Sequence, residues 1–104
     1  MNFNLFAGKE NGRYYAKARY KNGQVTVLKG SIISNNVSHK IQPVVLKIRN
    51  NKELVEGNIL LQDIVFRSPS TAASFVTGNI SNGNRVWKNK NKVFLKELLE
   101  EKNG

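Results

Sequence analysis

Eight basic side chains fall in two clusters along this sequence: Lys17, Arg19, Lys21 and Lys29 in the first third, and Arg85, Lys88, Lys90 and Lys92 near the end. Cations spaced this way can neutralise successive phosphates of a nucleic acid, the contact that dominates sequence-independent affinity. A second set, Phe66, Ser68, Ser70, Asn82 and Trp87, combines an aromatic wall with hydroxyl and amide groups. These residues stand at the ends of elements that short connections should bring together. Such a pocket could hold an exposed or flipped base, with stacking contributing about 1–3 kcal/mol per base and the polar groups supplying selectivity. It could also sense a methyl group by apolar contact. Each residue has a plainer structural use as well. Ser68 can cap a helix, Trp87 can fill a core, and the basic residues can form a solvated rim.

Catalysis has little support. Ser68, His39 and Asp63 could be assembled into a Ser–His–Asp set, but no nucleophile-elbow motif accompanies them. Glu53 and Glu56 would share a helix face at i, i+3, yet with Asp63 they are the only acids outside Glu10 and the last helix. There is no Cys and a single His, and no Gly-rich phosphate loop. The expectation is a non-enzyme that uses no metal or cofactor.

The charge balance points to a polyanionic partner. Across 104 residues, 17 Lys and Arg stand against 7 Asp and Glu, a formal charge of +10. Residues 1–52 contain Glu10 as their only acid, and the second half is nearly balanced. A one-signed surface of this kind attracts polyanions and speeds encounter with them. The many Asn residues allow a blander reading, codon bias in an AT-rich genome. Charge alone does not separate DNA, RNA and an anionic membrane. No segment has the length of a membrane span or the pattern of a signal peptide, so a single cytoplasmic domain over residues 1–104 is expected.

The elements that must position these groups follow from alternation and turn chemistry. Phe3–Ala7 reads as a strand ended by Gly8. Residues 14–20 place Tyr14, Ala16, Ala18 and Tyr20 on one face and Tyr15, Lys17 and Arg19 on the other. Asn22-Gly23 then turns the chain into a return strand over 24–29, a hairpin whose polar face carries Lys17, Arg19 and Lys29. Residues 31–42 resist assignment. Pro43 opens a helix with Val44, Val45, Ile48 and Val55 on one stripe, stopped at Gly57. Residues 59–66 read as extended. Ser68 caps a helix from Pro69 to Thr77 that Gly78 ends. A turn-rich loop (79–84), a short strand (85–88), a basic turn (89–92) and a helix marked by Leu95, Leu98 and Leu99 complete the chain.

The strand Val25-Thr26-Val27-Leu28-Lys29-Gly30-Ser31, then Phe66-Arg67-Ser68-Pro69-Ser70-Thr71-Ala72-Ala73, Gly78, Asn82-Gly83 and Trp87-Lys88, resembles an uncharacterised bacterial domain, domain of unknown function family 4357. The resemblance covers about residues 14–99. Asn84 departs from the pattern, since many relatives carry an aromatic after Asn-Gly. The resemblance implies a setting more than a mechanism: such domains occur alone or appended to GIY-YIG-type nucleases and restriction-like proteins. They also look similar to the restriction-enzyme and adenine-methylase associated (RAMA) domain, for which recognition of DNA, including modified DNA, has been suggested.

The reading is an α+β domain, a small mainly antiparallel sheet with two or three helices packed on one face. Its expected role is DNA binding in a restriction, nuclease or defence context. The rival is a protein–protein module that attaches to a nuclease or methylase subunit.

Overall fold

Asn22 and Gly23 both adopt positive φ, 49° and 90°, the backbone that a two-residue hairpin turn demands. They join β2 (Tyr15–Lys21) to β3 (Gln24–Val27), with Lys21 opposite Gln24. The computed structural model describes residues 2–103, and within it this hairpin is the centre of a four-stranded antiparallel sheet. β1 (Asn2–Gly8) pairs along the whole of β2, and β6 (Ile64–Phe66) pairs with β3, giving the order β1-β2-β3-β6. A separate two-stranded ribbon joins β4 (Val55–Glu56) to β5 (Ile59–Leu60). The protein is therefore of mixed α+β class, as its alternation and turn signals predict.

The pleat sends Leu5, Ala7, Ala16, Ala18, Val25 and Val27 inward, where all are buried. Against them lies α2 (Pro69–Thr77). Ser68 caps it, its Oγ accepting from Thr71 N at 3.1 Å, and Gly78 ends it at φ 78°. Both ends match the sequence reading. Every residue from Ala72 to Thr77 is buried, because the helix packs against the sheet, α1 (Pro43–Arg49) and α3 (Gly83–Val86), with α4 (Leu95–Asn103) packed in turn on α3. α4 turns Leu95 and Leu98 inward and leaves Glu97, Glu100 and Glu101 exposed.

The segment over 31–42, which has no periodicity to read, closes the C-terminus of α2. Carbonyls in the last turn of a helix lack intrahelical donors. Here Ser34 N donates to Val76 O and Ser38 N to Gly78 O, each at 2.8 Å. The half-buried Arg49 donates from Nη1 to Phe75 O at 2.6 Å and from Nη2 to Ser34 O. Gly78 fits because a Cβ there would lie 1.9 Å from Asn36 O.

Three expected elements differ. α1 ends at Arg49 instead of running to residue 57, since Asn51 Oδ1 accepts from Glu53 N and its carbonyl accepts from Leu54 and Val55. Asn side chains compete with the helical ladder in this way. Val55 therefore enters β4, Val44 is 58% exposed, and Glu53 and Glu56 share no helix face. The second difference is at 85–88, expected as a strand. Asn82 Oδ1 instead caps the single turn α3 by accepting from Asn84 N, and strand-like pairing begins only at Lys88. The third is β3, which stops at Val27.

Candidate nucleic-acid interface

Residues directly opposite in an antiparallel ladder share a face, so the register maps the sheet's outer surface. Asn2, Lys21 and Gln24 form one row, and Asn4, Arg19, Thr26 and Val65 the next. Phe6 and Lys17 form a third row, which Lys88 extends: Phe6 N donates to Lys88 O at 2.7 Å and Lys88 N to Phe6 O at 3.0 Å. Tyr15 starts a fourth row through bridges to Ile32 and onward to Ile59. Among the described residues no helix covers these rows, and α2 packs against the strands on the buried, opposite face.

Two hollows meet at Tyr15. One, of about 430 Å³, is lined by Phe6, Tyr15, Lys9, Lys88, Lys90 and Lys92, with Glu10 as its only acid. The other, of about 310 Å³, is lined by Tyr15, Lys17, Lys29, Gly30 and Ser31. Lys29 arrives there by a route the alternation did not predict. Continuing the pleat from Val25 and Val27 would turn it toward the core. With β3 ended, a turn closed by Ser31 N donating to Leu28 O (3.1 Å) carries Lys29 outward. Its N–H is held by Asp63 Oδ1 at 2.8 Å. Ser31 Oγ accepts from Lys17 N, tying the turn to β2.

The 89–92 turn that presents Lys90 and Lys92 is also locally determined. Asn89 Oδ1 accepts from Asn91 N (2.9 Å) and Val93 N (3.0 Å), folding the backbone around one amide side chain. Lys17, Lys29, Lys88, Lys90 and Lys92 thus border one surface. Arg19 and Lys21 continue it, lining a further hollow with Asn2, Asn4 and Thr26. Arg85 is exposed on α3 and lines none of these hollows.

The expected base pocket does come together, but as packing. Trp87 is 0% exposed, and its Nε1 donates to Pro69 O at 3.0 Å. Phe66 is buried with its ring centroid 5.1 Å from that of Phe75. Ser70 Oγ accepts from Gly83 N at 3.0 Å, Ser68 Oγ serves the cap, and Asn82 caps α3. The expectation of an aromatic wall for a base at Phe66 and Trp87 is corrected: neither ring offers an open face, because α2 and α3 close over them.

On the β1–β2 part of this face the aromatics are Phe6 and Tyr15, both half-buried, with Lys17 Nζ 6.0 Å from the Tyr15 ring centroid. The sequence held part of this signal, since Tyr15 alternates onto the face of Lys17 and Arg19. Phe6 and Lys9 were not distinguishable without the β1–β2 register. The same outer surface carries Ile32 and Ile59, 39% and 47% exposed, and Phe94 at 41%, bridged to Lys88.

Of the residues weighed for catalysis, His39 is exposed in the 31–42 segment, Asp63 holds the Lys29 turn and Ser68 caps α2. Burial lowers the Arg49 pKa from its ordinary value, and its guanidinium is spent on two backbone carbonyls. Among the described residues, no helix is long and apolar enough to cross a membrane.

These features define a small basic α+β domain with one open, cation-bordered sheet face. The chain belongs to the family described as Domain of unknown function (DUF4357), whose model matches residues 6–99. No curated protein and no solved structure matches it.

Proposed function

We propose that the protein is a non-catalytic DNA-binding module that uses the outer sheet face and the 89–92 turn to hold phosphates. The observation that carries this reading is the convergence of Lys17, Lys29, Lys88, Lys90 and Lys92 around Tyr15, on a surface where Glu10 is the only acid lining the larger hollow. These cations come from β2, from the turn after β3 and from the segment before α4, so the fold concentrates charge that the sequence spreads widely. The motif's likeness to the RAMA domain, drawn from sequence alone, supports the same reading. In a nuclease or restriction setting, such a module would bring a partner subunit to DNA.

Titration of a labelled duplex against salt tests this. With about six phosphates neutralised, log affinity should fall against log salt with a slope near −5. Absence of binding to both duplex and single-stranded DNA at low salt would sink the proposal. The second reading, attachment to a nuclease or methylase subunit, draws on Ile32, Ile59 and Phe94, apolar residues open on the same surface. An apolar interface would be much less sensitive to salt.

A further inference from the structure

We infer that Phe6 and Tyr15 form a stacking platform for the bases of an unpaired DNA strand, whose phosphates are held by the lysines on either side. The inference rests on the DNA-binding reading above and names the form of DNA that this surface fits. In a duplex the base faces are stacked on one another, and half-buried rings on a sheet surface cannot reach between them. A single strand presents those faces, and every base has one.

The register sets the spacing. Phe6 lies opposite Lys17, and Tyr15 is two residues before Lys17 on β2. The two aromatics are thus diagonal neighbours on one face, about 7–8 Å apart, within reach of a common ligand. Each keeps part of its surface open, whereas Trp87 and Phe66 are sealed in the core. Tyr15 separates the two hollows, so a strand lying across it would have Lys88 and Lys90 on one side and Lys17 and Lys29 on the other. Charge complementarity selects the occupant. An apolar peptide would bury these ammonium groups against nothing, whereas a strand brings one phosphate per base.

Backbone pairing positions the platform. Tyr15 N and O both pair with Ile32, and Phe6 N and O both pair with Lys88. Both aromatics are therefore anchored by reciprocal backbone bonds, which fix where each side chain leaves the sheet before any ligand arrives.

The test compares three probes on the unaltered protein: oligothymidine, an abasic strand of equal length, and a duplex of equal length. The abasic strand keeps the phosphates and removes the bases. Oligothymidine should bind roughly tenfold to hundredfold more tightly than the abasic strand, the range expected when one or two bases stack. Tyr15→Ala should remove most of that advantage, while Tyr15→Phe, which keeps the ring, should retain it. Equal affinity for oligothymidine and the abasic strand would overturn the platform and leave phosphate binding standing. Failure of all three probes to bind at low salt would overturn the DNA-binding reading and the platform with it. The comparison of probes needs no variant, so it holds even if Tyr15→Ala folds poorly.

Discussion

Trp87 Nε1 donates to the carbonyl of Pro69 at 3.0 Å, joining the residue after α3 to the first turn of α2. The indole supplies both bulk to the core and a partner for a main-chain oxygen. Trp87→Phe keeps most of the bulk but removes the donor. The Pro69 carbonyl, at the start of α2, keeps its place in the helical ladder, so the change removes one hydrogen bond, worth about 0.5–1.5 kcal/mol. The midpoint of denaturant unfolding should fall accordingly, with DNA affinity measured on the folded fraction unchanged. A loss of binding without a loss of stability would return Trp87 to the binding surface.

Gly83 occupies the other half of this junction. A Cβ on Gly83 would stand 2.2 Å from the Pro69 carbonyl carbon and 2.5 Å from Ser70 N, atoms of the backbone that cannot swing aside. Its N–H donates to Ser70 Oγ. Gly83→Ala should separate α2 from α3 and destabilise the protein by about 1–3 kcal/mol, in the range of other overpacking substitutions. A thermal melt unchanged from the parent would show that the two helices have room to part.

Arg49 makes two contacts with one planar group, to Phe75 O and Ser34 O. A lysine ammonium has no such fork. Arg49→Lys should therefore lose one of these charge-assisted bonds and lower stability by about 1.5–3 kcal/mol. Hydrogen exchange should rise first at Ser34 and Ser38, whose amides pair with the end of α2. Uniform exchange across the sheet instead would mean that Arg49 does not act locally.

The parts of this fold legible in the sequence are those written in adjacent residues. Asn22-Gly23, the Ser68-Pro69 start of α2 and its Gly78 stop each act within a turn of themselves, and each is found where the residues predict. The 31–42 segment was opaque for the opposite reason. Its backbone bonds go to Val76, Gly78 and Arg49, far along the chain. Trp87 shows the limit at the site: an aromatic flanked by basic residues looks alike in sequence whether it stacks on a base or fills the core and donates to the Pro69 carbonyl. Tyr15 was visible on the basic face, but its pairing with Phe6 needed the β1–β2 register.

The last prediction separates the two basic clusters by position. Lys17 lies on the outer sheet face beside Tyr15, while Arg85 is exposed on α3 outside the hollows. If phosphates follow the sheet face, Lys17→Glu combined with Arg19→Glu should weaken binding to all duplex sequences alike, because phosphate contacts position the protein without specifying bases. Each lost contact should also reduce the magnitude of the salt slope by about 1. Arg85→Glu changes net charge by the same amount per residue but removes no contact on that face. It should leave the slope intact and alter affinity only through long-range attraction, an effect that fades as salt shortens the screening length to about 8 Å at physiological ionic strength. The two variants should therefore diverge as salt is raised. Equal effects per substituted residue at every salt concentration would mean that the protein responds to total charge alone and that the sheet face is not the contact surface.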